Sequence, residues 1–281
     1  MLFEITHRTS YRYEAPVFLL PHLLRLKPAT DASQRLLSFD LTIDPAPTGR
    51  SANIDLDGTD TTLVWFDPLT EYLTVEAKST VETLRTNPFD FLWVGEHSLP
   101  VRYAADLAPV LLPYTGKEVP VRVRELAQSV ADESGRDART FPLALTNRIH
   151  ATCVQIRRDE GEPWPPEETL ARQEGSCRDL SVLFMAACRS LGYAARFVSG
   201  YLAVEGENGF DLHAWPEVYL PGGGWRAYDP STGLAVAEAH IACARAANPR
   251  HAAPISGTYR GRAASTLETE LTINRLDEPA G

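Results

Sequence analysis

Cys177 follows Gly175-Ser176 and precedes a run in which Leu180, Leu183, Phe184, Ala187 and Leu191 recur at helical spacing before Gly192. The pattern predicts an amphipathic helix with the thiol in its first turn. Unpaired N–H groups and the positive end of the helix dipole favour thiolate there. With Arg178 adjacent, these are surroundings in which a cysteine becomes nucleophilic near neutrality. Such a nucleophile needs a base and a group that orients the base. His213 opens the run HAWPEVYL and Asp229 ends the run GWRAYD, with Pro221-Gly222-Gly223 between them. A hairpin over this stretch brings His213 and Asp229 to one end of two strands, so that the carboxylate holds one imidazole nitrogen while the other faces the thiol. The chemistry of such a set is attack on a carbonyl carbon and acyl transfer through a thioester.

Other residues are placed to assist. The backbone N–H of Cys177 is the first candidate donor for an oxyanion, and Gln173 and the indole of Trp164 are candidates for the second. Trp215 and Trp225 flank the base and the hairpin, as substrate-channel walls or as packing. Glu217 falls on the His213 face of a regular strand, where it could assist catalysis but a solvated or salt-bridged role is expected. Arg178 and Asp179 are spaced for a local ion pair. Cys153, Cys188 and Cys243 read as packing residues. A metal site formed by Cys177, His213 and Asp229, or by His150 and Cys153, is the competing chemistry. No C-x-x-C pair or calcium-type acidic loop supports it, so no metal and no cofactor is expected.

These side chains need a scaffold. Over the first ~110 residues the alternation is period two: Phe3, Ile5, His7, Thr9, Tyr11 and Tyr13 alternate with Glu4, Thr6, Arg8, Ser10, Arg12 and Glu14. The pattern returns at Leu37, Phe39, Leu41 and Ile43, and at Leu73, Val75 and Ala77. Turn signals between these runs predict a sandwich-like β domain. Pro109 to Pro120 loses periodicity, which divides the chain into a β-rich domain, residues 1–112, and a mixed domain, residues 113–281. In the second, helices are expected at Val121 to Glu133, at Pro142 to Ile156 and after Cys177, with strands at Ala194 to Val204, His213 to Leu220, Trp225 to Asp229 and Leu267 to Ile273. The fold class is α+β.

The whole-chain numbers narrow the function classes. The 281 residues carry 27 Lys and Arg against 37 Asp and Glu, a net charge of −10, with 44% hydrophobic residues. The acidic balance and the lack of any five-residue basic run argue against nucleic acid as a partner. No stretch approaches the ~18 apolar residues of a membrane span, so no membrane partner is expected. The N-terminus MLFEITHRTSYRYEAP lacks the pattern of a secretory signal, which predicts a cytoplasmic protein whose four cysteines stay reduced.

Three segments carry a family resemblance: GSCRDL from Gly175, LGYAARFVSGY from Leu191, and HAWPEVYLPGGGWRAYDPSTG from His213. Together, with Cys, His and Asp in that order, they resemble the bacterial transglutaminase-like superfamily. The stretch from Tyr11 to Pro28 is similar to the β-rich region preceding this core in many bacterial members, and His240-Ile241 through Pro254 is similar to the family's C-terminal part. The resemblance implies a cysteine-peptidase-like core of papain and transglutaminase type, in which a nucleophile-bearing helix packs on an antiparallel sheet. It implies Cys177 as nucleophile, His213 as general acid and base, and Asp229 as its orienter. The substrates it implies are peptide or protein amides, attacked through a thioester and released by water as a peptidase or amidase. Release by an amine, as a crosslinking acyltransferase, and a non-catalytic binding module on the same fold are the alternatives. Pro216 departs from the family pattern and, lacking a ladder donor, predicts an edge or bulge at that point of the strand.

Overall fold

The computed structural model describes residues 1–116, 118–158, 161–203 and 212–276. Val204, the expected end of one strand, and Asp159, the start of an acidic loop, lie outside them.

The N-terminal region is a two-sheet sandwich. One sheet contains β1 (Leu2–Leu19), β3 (Gln34–Asp44) and β6 (Thr70–Thr83), with β6 antiparallel to both neighbours; the other contains β2 (His22–Leu24), β4 (Gly49–Ile54) and β5 (Asp60–Trp65). Alternation sends Val17, Leu19, Leu73 and Val75 to one face, where they bury against Leu24, Val64 and Phe66 of the second sheet. A bulge between Leu36 and Ser38 interrupts the expected alternation of β3. Leu36 therefore packs inward and Leu37 is 52% exposed, after which Phe39, Leu41 and Ile43 resume the inner face.

The second region packs helices on an antiparallel sheet. After the single turn α1 (Ala108–Leu111) come α2 (Val121–Glu133), α3 (Phe141–Thr152), β7 (Val154–Gln155), α4 (Pro166–Arg172), β8 (Glu174–Gly175) and α5 (Cys177–Ser190). The sheet strands are β9 (Ala195–Leu202), β10 (Leu212–Leu220), β11 (Gly224–Asp229), β12 (Leu234–Ala235) and β13 (His240–Ala246), in spatial order β12-β11-β10-β9-β13. Leu180, Leu183, Phe184, Ala187 and Cys188 of α5 are buried between Phe141, Leu145 and Ile149 on one side and Phe197, Ala214 and Val218 on the other.

Four expectations change. The helix from Pro142 stops at Thr152 rather than Ile156, because Cys153 turns extended and Val154-Gln155 pairs in parallel with Glu174-Gly175. The division at residue 112 falls too late. Leu99 and Val101 are buried in the helix-and-sheet core, and Tyr103 donates its hydroxyl to Tyr219 O at 2.8 Å; these apolar residues lack a period, so they carried no signal of which layer they join. The C-terminal strand, grouped with the second domain by position, pairs instead with the first. After β14 (Ile255–Ser256) and β15 (Tyr259–Arg260), β16 (Ser265–Leu276) runs antiparallel to β1 from Tyr13 to Leu2. Finally, Pro216 lies in β10, the middle strand of five, but the ladder to β11 covers only Glu217 to Leu220. Residues 212–216 pair with β9 alone, so the missing donor falls where β11 has diverged.

The two regions meet in a shared buried cluster. Phe3, Ile5, Val81 and Ile273 of the first sheet cluster with Tyr201, Ile241 and Cys243 of the second region. One face of β1 thus serves both the sandwich and the helix-bearing core.

Candidate active site

The approach to Cys177 is built by a buried carboxylate. Asp179, three residues into α5, accepts from the Ser176 N–H and hydroxyl, each at 2.8 Å, and from the Trp164 N–H at 2.7 Å. Arg158 Nη1 donates to both of its oxygens, at 2.7 and 2.8 Å. Burial works against charge on Asp179, yet Arg158 and the Trp164 and Ser176 donors outweigh it and hold the carboxyl below its usual range. Gly175 is required, since a Cβ there would stand 2.8 Å from Asp179 Cβ. One turn on, the Ser181 hydroxyl is 2.7 Å from Cys177 O and 3.2 Å from Ala214 O. It ties the head of α5 to the strand residue next to His213. Arg178, expected to pair with Asp179, instead donates to Gly161 O and Arg158 O.

His213 is buried near the start of β10 and Asp229 closes β11; Nε2 of the first lies 2.8 Å from Oδ2 of the second. The Cys177 side chain lies within interaction range of the same ring, so the structure brings together all three residues singled out in the sequence. Asp229 Oδ1 accepts from the Ser231 N–H at 2.9 Å and the Ser231 hydroxyl at 2.6 Å, an Asx-type turn that fixes the carboxylate. His150 of α3 steadies that turn, with Nδ1 3.0 Å from Ser231 O. Gly233 ends it at φ +77, where a Cβ would stand 2.8 Å from the His150 ring.

The electrostatics follow from burial against partnership. Burial disfavours a charged His213, but the hydrogen bonds and charges of Asp229 and Cys177 prevail and push the imidazole up to about 10. Burial likewise opposes charge on Asp229, and bonds to His213 and His240 hold it well below the carboxylate range. His240, on β13, was read only as part of the C-terminal resemblance; its Nε2 lies 3.0 Å from Asp229 Oδ2. No local spacing signals this contact, because β13 reaches the site across the sheet. In the sequence Asp179 is expected only to pair with Arg178; the Ser-x-x-Asp pattern at a helix start is the local signal that marks its capping role.

The remaining candidates separate. Trp215 is buried and stacks on His213 at 6.0 Å. Trp225 does not wall a channel beside His213: it pairs with Tyr219, six residues along β10 and so roughly 20 Å away at about 3.3 Å per residue. There it sits under the Arg196 guanidinium at 4.2 Å. Glu217 is salt-bridged, to Arg196 at 2.6 Å and Arg245 at 3.4 Å. The Trp164 ring lies between the guanidiniums of Arg158, at 4.2 Å, and Arg172, at 4.5 Å. Gln173 ends α4 in the left-handed region with an exposed side chain. Among the described residues, His213, Asp229 and His240 are the group whose ligand atoms lie close enough, within 4.8 Å, to hold a metal; their mutual hydrogen bonds already satisfy the atoms concerned. No described helix is long and apolar enough to cross a membrane. Cysteines 153, 188 and 243 are buried and free, and Cys177 is half-buried.

A thiol heading a helix, on an antiparallel sheet whose strands carry a histidine and an aspartate, defines the class of cysteine-peptidase-like folds. Residues 3–82 match the bacterial transglutaminase-like N-terminal region, and residues 124–230 match the transglutaminase-like superfamily. An uncharacterized protein of Mycobacterium leprae is 30% identical over 97% of this chain and 98% of its own length. One from Mycobacterium tuberculosis is 27% identical over 96% of this chain and 92% of its own. The fold is shared with a Cytophaga hutchinsonii structure provisionally described as a cysteine protease: TM-score 0.71, 23% identity, 99% of this chain and 92% of that one. The chain belongs to the transglutaminase-like superfamily and carries the N-terminal region of its bacterial members.

Proposed function

We propose that the protein is a thiol-dependent amide hydrolase, a peptidase or amidase acting on peptide or protein amides through a thioester on Cys177. The observation that carries this reading is a single imidazole, His213, bonded at Nε2 to buried Asp229 and within interaction range of a thiol at the head of α5. With Nε2 committed to Asp229, Nδ1 is the nitrogen that exchanges protons with the thiol. The Cys177 sulfur attacks the amide carbonyl carbon, the C–N bond breaks, and His213 Nδ1–H gives its proton to the departing amine. Nδ1 then takes a proton from water as hydroxide adds to the thioester, and the C–S bond breaks to release the acid. The N–H of Cys177, with no acceptor within its own helix, is the oxyanion donor in this scheme.

Release by an amine instead of water would require a site that admits the amine and excludes water. One assay separates the outcomes. Glutamine-containing peptides are incubated with the native protein and with Cys177→Ala, with and without a fluorescent primary amine, and products are read by mass spectrometry. Backbone cleavage or ammonia release that depends on Cys177 is expected. Amine incorporation would move the assignment to crosslinking, and the absence of both turnover and acyl-enzyme would contradict an enzymatic role.

A further inference from the structure

One oxygen of Asp229 serves two histidines. Oδ2 lies 2.8 Å from His213 Nε2 and 3.0 Å from His240 Nε2. Trp215 packs both rings, stacked on His213 and edge-on to His240 at 5.0 Å. A carboxylate oxygen accepts from both only if each ring carries its proton on Nε2. His240 Nδ1 is buried and has no hydrogen-bond partner among the described residues. A second proton on His240 would therefore be a buried donor without an acceptor, a costly arrangement that keeps this ring neutral. Burial pushes its pKa down in accord with that geometry. The titratable groups around His240 are Asp229 from β11 and His213 from β10, with Cys177 of α5 beyond His213.

We propose that His240 is a positioning residue: by occupying part of Asp229 Oδ2 it fixes the carboxylate and limits its hold on the His213 proton. The inference rests on the reading of Cys177, His213 and Asp229 as the reacting set. Its chemical sense lies in both halves of the reaction. A carboxylate bonded to His213 alone binds the imidazolium more strongly, which makes it a poorer acid toward the leaving amine and leaves less of the ring in the basic form that must take a proton from water. Dividing the acceptor between two donors keeps one imidazole competent for both steps.

The test uses the full chain and two readouts. The rate of Cys177 alkylation by iodoacetamide is followed from pH 4 to 12, where the upper inflection reports loss of the His213 proton. Hydrolysis of a p-nitrophenyl ester is resolved into its acylation burst and steady state. His240→Phe keeps a ring against Trp215 but removes the donor, and His240→Gln restores a side-chain N–H. In His240→Phe the upper inflection is expected to rise by about one pH unit, with deacylation slowed roughly tenfold relative to the burst; His240→Gln returns both toward native. His240→Asn, too short to reach Oδ2, carries the same expectation as the Phe variant should that one not fold. An unchanged inflection in folded His240→Phe or His240→Asn would reduce His240 to packing and overturn the proposal. A native profile with no inflection removed by His213→Ala would instead overturn the reacting set, and the proposal with it.

Discussion

The side-chain amide of Gln34 bonds to the backbone of Ala242 as a neighbouring strand would. Nε2 donates to Ala242 O at 2.9 Å, and the Ala242 N–H donates to Oε1 at 2.8 Å, with Gln34 only 1% exposed. Nε2 also reaches Ala29 O at 2.8 Å. Ala242 stands at the bulge of β13, two residues after His240. The N-terminal sandwich therefore grips the strand that delivers a histidine to Asp229, which gives this region a part in building the site.

Replacing Gln34 by Leu keeps much of the volume and leaves the Ala242 N–H buried without its acceptor, while the Ala242 carbonyl keeps only the Ala29 N–H at 2.9 Å. The expected cost is about 1–3 kcal/mol of stability, read from urea unfolding midpoints, together with slower turnover. A variant of native stability and activity would show that the grip is dispensable.

Asp179 is predicted to matter as much for the nucleophile as for the fold. It gathers Arg158, the Trp164 N–H and both donors of Ser176 immediately around the start of α5. Asp179→Ala leaves Arg158 uncompensated in a largely buried setting, a loss of about 3–5 kcal/mol. Denaturant titration is the measure. A loss below about 1 kcal/mol, the size of an exposed pair, would refute the assignment.

Acid should weaken the contact between the two regions through His7. Its Nδ1 is 3.1 Å from the Tyr201 hydroxyl, its Nε2 is 3.1 Å from Thr9 Oγ1, and burial lowers its pKa from 6.5 to about 4. The folded state thus holds His7 neutral while the unfolded chain takes up a proton. The stability linked to neutral His7 is complete above pH 6.5 and is lost as pH falls toward 4, at up to about 1.4 kcal/mol per pH unit. Unfolding midpoints at pH 7 and pH 5 test this. The drop should shrink in His7→Gln, and an equal drop in both proteins would assign the acid sensitivity elsewhere.

What was legible in the sequence was what local pattern controls. The helix after Cys177 and the hairpin from His213 to Asp229 are each coded within about twenty residues by hydrophobic period and turn chemistry, and that sufficed to place three side chains together. Residues joined across the topology were not legible as partners. His240 reaches Asp229 from the far side of the sheet, and Gln34 reaches Ala242 from the other region, with no spacing rule for either. For Trp225 the channel alternative fails and packing stands, because a residue that flanks the hairpin in sequence can lie six residues along an extended strand from His213. The alternation of Leu267, Leu271 and Ile273 correctly marks a strand, but period two does not say which sheet it joins; only the pairing with β1 does.

In the proposed mechanism everything depends on His213 and Asp229 acting on Cys177. Alkylation of the native protein with iodoacetamide at pH 6, with mass-spectrometric assignment among the four cysteines, tests it most directly. Cysteines 153, 188 and 243 are buried, and burial raises each of their thiols above its ordinary range. Preferential labelling of Cys177 that is lost in His213→Ala is expected. Equal labelling of all four, no labelling of Cys177, or labelling indifferent to His213 would contradict it.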